Sequence, residues 1–376
     1  MRILRVGYRL PPEPGGKERH IERLTREQLL VGHEVIVAHR WGRPLAGART
    51  LPLPPSLIGR LVSPGSHTIA FGLDCARALP RTGKVDLVHL HGDHCEALAL
   101  GPACRRLGVP LVVTVHGALT TRHRRVVARA LRHARGFIAL GTRPRDDLLA
   151  AGVPARRILT MSSGLDLPRL ERSRAAAGPA EPGLIVSVGA LERVKNHALL
   201  IEAFHALRAV RPGARLVIAG DGGERARLEQ LAGGGGGEHG ISFAGHLAAE
   251  DTYALVSRAQ AFVLASRRLA TAGEGVPTAA LEALALGTPV IVSSDASLDP
   301  VVTDAGAYRV FRSGSVPELV ARLRSALDDE AARPRVAERA RRAVAGLDWP
   351  LVAARVEEWY GTLLRGGLPH LVGAAS

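Results

Sequence analysis

Short bursts of apolar and β-branched residues alternate along the chain with runs whose apolar positions recur at helical spacing. Residues 2–8 alternate as a strand and residues 10–16 form a Pro/Gly loop. Residues 17–31 carry Ile21, Leu24, Gln28 and Val31 at the spacing of one helix face, Gly32 stops the run, and 35–38 is the next strand. Further strands are predicted at 85–90, 111–115 and 137–140, whereas 40–80 is rich in loop formers and receives no element. Residues 171–183 combine Ala, Pro, Gly and charge without a period, the composition of a linker. The plan then repeats: a strand at 184–188, a helix over 196–210, and strands at 216–219, 241–245, 261–266 and 290–293. Alternating strands and helices predict an α/β chain of two doubly wound Rossmann-like domains with a cleft between them. The chain's 376 residues suffice for two such cores, placed at 1–170 and 184–350.

The most informative stretch runs from Glu274 to Ser293. A loop holding Glu274 leads into a helix whose start is expected at Pro277, because proline lacks the N–H that a first helical residue leaves unpaired. The amides of Thr278 and Ala279 then point out of the helix start, where unpaired donors and a partial positive charge suit a phosphate or diphosphate. Glu282 lies farther along the same helix, so two carboxylates flank an anion site and suit the hydroxyls of a nucleotide sugar. Spacing alone is also met by two surface glutamates.

In the first half, the loop after the first strand contains Gly15-Gly16 and lacks the G-x-G-x-x-G of a dinucleotide binder. Two glycines let a backbone approach a ligand closely, and they also make a plain tight turn. The strand 111–115 ends on His116, which the carboxyl edge of a parallel sheet directs toward a ligand crevice or into the core. His91, His94 and Cys95 are close enough to suggest a metal. Histidines after a strand are read here as hydrogen-bonding ligand contacts, and no metal is expected.

Composition narrows the classes. The net charge of +15 comes almost wholly from arginine, since Lys17, Lys84 and Lys195 are the lysines present. Nucleic-acid binding calls for stacking aromatics or a known module beside the charge, and 13 aromatic residues in no such arrangement argue against it. Cys75, Cys95 and Cys104 have no Cys-x-x-Cys spacing, which points to a reducing, cytoplasmic setting without disulfides. No apolar run reaches the roughly 18 residues of a spanning helix. The basic amphipathic segment 122–135 reads as a solvated face or as a helix lying on anionic lipid.

The segment E-G-V-P-T-A-A-L-E-A-L-A-L-G-T-P-V-I closely resembles the Glu-x7-Glu signature of the retaining, nucleotide-sugar-dependent glycosyltransferase family 4, whose fold is GT-B. Similar matches extend from residue 3 to about 364: Pro12 to His20 with the family's P-x-x-G-G-x-E-R-H, the histidine of V-T-V-H-G, and Gly189 to Asn196 with G-R-x-x-x-x-K-[GN]. The chain departs from pattern at Ala190, where the family has arginine, and at Ser163, where it has asparagine. The resemblance implies an N-terminal acceptor-binding domain, a C-terminal nucleotide-sugar domain, and a last helix, about 351–376, packing back on the first. It also implies retaining, metal-independent transfer of a hexose-type sugar from a nucleoside diphosphate sugar, UDP-sugars favoured, to an acceptor hydroxyl. No cofactor is needed; the absence of Asp-x-Asp fits metal independence. Lys195 and Arg193 would serve the diphosphate with Thr278 and Ala279, Gly15 and Gly16 would approach it, Glu282 would hold the ribose, and Glu274 and His116 the donor sugar. Lys195 and Glu274 are expected on opposite sides of that donor. Asp93 and Glu96 would face the acceptor, so a cationic aminocyclitol joins a lipid-linked sugar as a candidate, with membrane association secondary. A nucleotide-sugar epimerase of the same fold and a silent nucleotide-sugar-binding homologue are the alternatives.

Overall fold

The computed structural model describes residues 1–12, 15–119, 124–234, 239–269 and 273–366. The chain divides into two compact units, residues 1–164 with 349 onward, and residues 165–348. In chain order the elements of the first are β1 (Arg2–Gly7), α1 (Gly16–Leu30), β2 (Glu34–Ala38), β3 (Arg49–Leu51), α2 (Leu57–Val62), α3 (His67–Ala78), β4 (Leu87–His91), α4 (His94–Arg106), β5 (Leu111–Val115), α5 (Arg124–Leu131), β6 (Gly136–Leu140), α6 (Thr142–Ala150) and β7 (Ile158–Met161). The second unit follows with α7 (Leu167–Ala176), β8 (Leu184–Val188), α8 (His197–Val210), β9 (Arg215–Ala219), α9 (Arg225–Leu231), β10 (Ile241–Gly245), α10 (Ala249–Ser257), β11 (Ala261–Leu264), α11 (Thr278–Leu286), β12 (Val290–Ser293), β13 (Arg309–Phe311), α12 (Val316–Asp328) and α13 (Arg333–Val344). The last helix, α14 (Trp349–Leu364), belongs to the first unit.

Each unit is one parallel sheet, in order β3-β2-β1-β4-β5-β6-β7 and β10-β9-β8-β11-β12-β13. The apolar bursts become strands buried on both faces, as helix-covered parallel sheets require. One face of the first sheet packs Leu4, Val88, Val113 and Phe137, and the other packs Ile3, Leu87, Val112 and Ile138 against Val352, Val356 and Tyr360 of α14. Strand order turns between β1 and β4 in the first sheet and between β8 and β11 in the second. Ligands of open α/β sheets bind outside the carboxyl ends of strands at such turning points. The structure is therefore two Rossmann-like domains of the GT-B type.

Several expectations are corrected. The unassigned stretch 40–80 contains β3, α2 and α3, the helices capped by Ser56 and Ser66, whose hydroxyls accept from Gly59 N and Ile69 N. Most of the expected linker's first half is helical: α7 is capped by Asp166, which accepts from Arg169 N at 3.2 Å, and buries Leu170 in the core of the second unit. The boundary thus falls at 164/165 rather than within 171–183. Pro277 is the cap of α11 and not its first residue: its ψ of 108° is extended, and its carbonyl accepts from Ala280 N and Leu281 N. The five-glycine run 233–237, whose composition reads as a flexible surface connection, lies mostly outside the described residues.

Candidate functional site

In the second unit the loops after β8 and β11 leave neighbouring strands at the turning point of the sheet, so their side chains can meet. The first of them, 189–196, is fixed by its backbone. Gly189 N donates to Ala219 O and Leu191 N to Asp221 O, both at 2.9 Å. Gly220 makes this possible: with φ at +141°, a Cβ there would lie 2.0 Å from Gly189 O. Farther on, Lys195 N closes a turn on Glu192 O, and Asn196 adopts a left-handed φ of 53° to start α8. The Lys195 side chain passes Gly189, whose absent Cβ would sit 3.3 Å from Lys195 Cε.

Lys195 Nζ ends 2.5 Å from Glu274 Oε1, and the two side chains are only 20% and 13% exposed. Ser266, following β11, donates its hydroxyl to the same carboxylate oxygen at 2.9 Å, while its own carbonyl accepts from Ser293 Oγ at the end of β12. Lys195 and Glu274 are thus paired directly, not set apart. Beyond Glu274, α11 begins; among the described residues no acceptor meets the amides of Thr278 and Ala279. Glu282 accepts from Tyr253 Oη at 3.1 Å, which ties α10 to α11. Arg193 turns away from this group. Its side chain is 77% exposed and its Nε lies 3.6 Å from Glu224, so in this conformation it does not replace the arginine missing at Ala190.

The first unit carries a second group of residues. Gly15 caps α1 and Gly16 begins it, both exposed; a Cβ on Gly15 would meet the Glu18 carboxylate, whereas one on Gly16 would meet nothing. His116, half-buried after β5, places Nε2 3.2 Å from His91 Nδ1. His20 of α1 sets its ring edge-on to His116 with centroids 5.1 Å apart and bonds Ser163 Oγ through Nδ1 at 2.9 Å. Burial, reinforced by Arg5, brings His20 down to about 3. Burial also holds His89, His91 and His116 well below the ordinary imidazole range, with neighbouring histidines contributing at each and Lys17 at His116. His116 is therefore a neutral hydrogen-bonding group.

Asp93 and Glu96 close the start of α4. Asp93 accepts from Cys95 N at 2.7 Å, and Glu96 accepts from Asp93 N at 3.1 Å. Glu96 is only 2% exposed, and burial, followed by the Asp93 charge, raises it to about 7. Its expected acceptor-facing role is corrected to a capping role; Asp93 alone keeps an exposed carboxylate. Asp93, His94 and Cys95 do bring one donor atom each within 4.8 Å. The Asp93 oxygen is engaged by the cap and burial raises the Cys95 thiol to about 11, so the triad is a poor cation site. The helix start itself also disfavours positive charge. On α5, Val127, Ala130 and Leu131 are buried in the core and Arg124, Arg125 and Arg129 face solvent. Among the described residues no helix is long and apolar enough to cross a membrane.

The family described as Glycosyltransferase Family 4 matches residues 14–169, and Glycosyl transferases group 1 matches 170–343. Glycogen synthase of Mycobacterium tuberculosis is 30% identical over 97% of this chain and 96% of its own. The chain belongs to glycosyltransferase family 4. Among other relatives of this family 4 chain, a GDP-mannose-dependent alpha-(1-6)-phosphatidylinositol dimannoside mannosyltransferase of M. tuberculosis is 30% identical over 85% of this chain and 87% of its own. A 2-deoxystreptamine glucosyltransferase of Streptomyces kanamyceticus is 28% identical over 75% and 78%. HepE of Anabaena, solved with UDP, shares the fold with a TM-score of 0.75, covering 96% of this chain and all of that one at 18% identity.

Within this family 4 enzyme, the departure at Ser163 gains a physical account, because its hydroxyl binds His20. The next residue, Gly164, must lack a side chain: a Cβ would come 2.5 Å from the Trp349 indole. The sequence reading assigns no site role to His20, His89, Ser266 or Tyr253, and takes His91 only as one histidine of a ligand-contacting cluster. His20 ends the matched G-G-x-E-R-H motif and His91 was noted in its cluster, so a signal existed for both. Ser266 and Tyr253 carry no local mark, since only the approach of other loops and helices gives them partners.

Proposed function

We propose that this glycosyltransferase moves a hexose-type sugar from a nucleoside diphosphate sugar, UDP-sugars first, to a hydroxyl of a small-molecule or lipid-linked acceptor, with retention and without a divalent metal. The observation that carries the reading is the Lys195–Glu274 pair, 2.5 Å apart, beside the amino end of α11. A diphosphate competes with Glu274 for the ammonium and takes the amides of Thr278 and Ala279, so negative charge grows on the leaving group where donors are already fixed. Glu274, released from Lys195 but still held by Ser266, accepts from a sugar hydroxyl. Glu282, oriented by Tyr253, accepts from the ribose. Gly15 and Gly16 allow close backbone approach, and His116 supplies a neutral hydrogen bond to the sugar. In the transfer the acceptor oxygen bonds the anomeric carbon, the carbon–oxygen bond to phosphate breaks with its electron pair passing to the diphosphate, and the acceptor proton ends on that diphosphate.

The acceptor is best sought among polyols, aminocyclitols and lipid-linked sugars, since relatives named for 2-deoxystreptamine and for phosphatidylinositol dimannoside share most of the chain. The test is acceptor-dependent release of nucleoside diphosphate from UDP-, GDP- and ADP-sugars, with and without EDTA, and anomeric analysis of the product. UDP release with retained configuration, unchanged by EDTA, is expected. Release from GDP-sugars alone, inversion, or an EDTA loss restored by Mg²⁺ overturns the corresponding part. Sugar epimerisation without any acceptor overturns the whole.

A further inference from the structure

One face of the first sheet, under α1 and α14, carries a polar layer built from Arg5 of β1, His89 and His91 of β4, Thr114 of β5, His20, Thr25 and Gln28 of α1, and Tyr360 of α14. Alternation along strands puts His89 and His91 on the same side, and the neighbouring strand adds Thr114 in that layer. All these side chains are buried. Arg5 is fully buried and, among the described residues, no carboxylate pairs with it; its guanidinium donates to Thr25 Oγ1 at 2.7 Å and to Gln28 Oε1.

The Tyr360 hydroxyl lies 2.5 Å from His89 Nδ1. His89 Nε2 is hydrogen-bonded to Thr114 Oγ1 at 2.6 Å. Both nitrogens of His89 are engaged, which fixes its ring. That ring faces His91 at a centroid distance of 4.0 Å, with His20 at 5.4 Å on another side, leaving His91 little freedom to swing.

Among the described residues His91 has one hydrogen-bonding partner, His116 Nε2, 3.2 Å from its Nδ1, and its buried Nε2 has none. Two tautomer assignments satisfy the contact. If His116 donated, His91 would keep a proton on Nε2 and bury an N–H with no acceptor. If His91 donates, the buried orphan is a bare lone pair, the less unfavourable of the two.

We infer that His91 is a positioning residue whose Nδ1–H donates to Nε2 of His116, holding His116 as the neutral tautomer protonated at Nδ1. His116 then offers ligand an N–H, not a bare nitrogen: a fixed donor to a hydroxyl or phosphate oxygen and not a proton acceptor. The effect on transfer rests on the role proposed above for His116; the tautomer does not, and it is read without substrate.

The experiment is two-bond ¹H–¹⁵N spectroscopy of the histidine-labelled full chain at about pH 7, with the His116 signals assigned by their loss in His116→Gln. Wild type is expected to show His116 with a protonated Nδ1 and an unprotonated Nε2. The opposite pattern overturns the inference. His91→Phe keeps a ring in place but removes the donor; His116 should then exchange between tautomers and kcat/KM should fall about tenfold, with kcat affected more than KM. His91→Asn, whose amide nitrogen lies near the place of imidazole Nδ1, should restore both the wild-type spectrum and most of the activity. An unchanged His116 spectrum in His91→Phe, or a lost one in His91→Asn, overturns the assignment. If His91→Phe does not fold, the wild-type spectrum and His91→Asn still decide.

Discussion

The ammonium of Lys195 and the carboxylate of Glu274 lie 2.5 Å apart although 79 positions separate them in sequence, and Ser266 shares the Glu274 oxygen. The pair forms because β8 and β11 are neighbours at the turning point of the second sheet, so the loops leaving their carboxyl ends share one rim. Each group keeps the other's charge satisfied until an anion arrives. On the proposed reading a diphosphate replaces the Glu274 carboxylate as the partner of Lys195, while Ser266 keeps its bond to Glu274.

Lys195→Ala and Glu274→Ala are each expected to cut turnover at least about tenfold while circular dichroism and melting stay close to wild type. Because the two groups touch, the effects should not add: the double variant should lose less than the product of the single losses. Steady-state kinetics on all four proteins check this. Activity within about twofold of wild type in either single variant removes that residue from the site.

Tyr253 acts on Glu282 through a single hydroxyl, 3.1 Å from the carboxylate, and its ring is otherwise buried in the core between α10 and α11. Tyr253→Phe keeps the packing and loosens Glu282. If Glu282 holds the ribose, donor KM should rise by roughly three- to tenfold with kcat little changed, the loss of one hydrogen bond to a charged group. A KM equal to wild type means that Glu282 is oriented without the tyrosine.

Much of this was legible in sequence for reasons the fold makes plain. Strands buried on both faces leave continuous apolar bursts, so β5, β8 and β12 match their predicted bounds. The Glu274–Ser293 stretch announces a loop, helix and strand through Pro277, Gly287 and β-branching, all local signals. What was not legible is either short or long-range. The helix α2 has six residues and exposes Leu57 and Leu61, so it shows no inward face to read. In α7 the cap Asp166 and Pro168 were visible, but Leu170 is its one buried residue, and composition suggested a linker instead. No spacing rule brings His20 to Ser163 or Tyr360 to His89.

Glu96 makes stability depend on pH in a direction opposite to that of most carboxylates. Burial first, and the Asp93 charge second, raise it from an ordinary 4.5 to about 7. The folded state thus binds its proton more tightly than the unfolded chain, so its contribution is fully present below the unfolded value and is lost as pH rises through the folded one. Glu96→Gln keeps an oxygen to accept from Asp93 N and has no proton to lose. The Tm of this variant relative to wild type should therefore climb between about pH 5 and about pH 8, measured by calorimetry at constant ionic strength. A constant difference across that window would mean that Glu96 titrates as an ordinary surface acid.

Gly220 holds the Lys195 loop in place without touching any side chain of the site. Its φ of +141° and the 2.0 Å that would separate a Cβ from Gly189 O leave no room for alanine. Accommodating one means pushing the ends of β8 and β9 apart, which breaks the bonds from Gly189 N to Ala219 O and from Leu191 N to Asp221 O. Gly220→Ala should cost about 1–3 kcal/mol or more from the backbone conformation alone, lowering Tm by roughly 5 °C. It should also reduce turnover, because Lys195 rides on the displaced loop. Gly223→Ala is the control: a Cβ there meets nothing within 4 Å, so stability and activity should stay near wild type. If the two alanine variants melt together, the tight backbone contact is not what positions Lys195 against Glu274, and the order of the loop must come from Asn196 and the start of α8 instead.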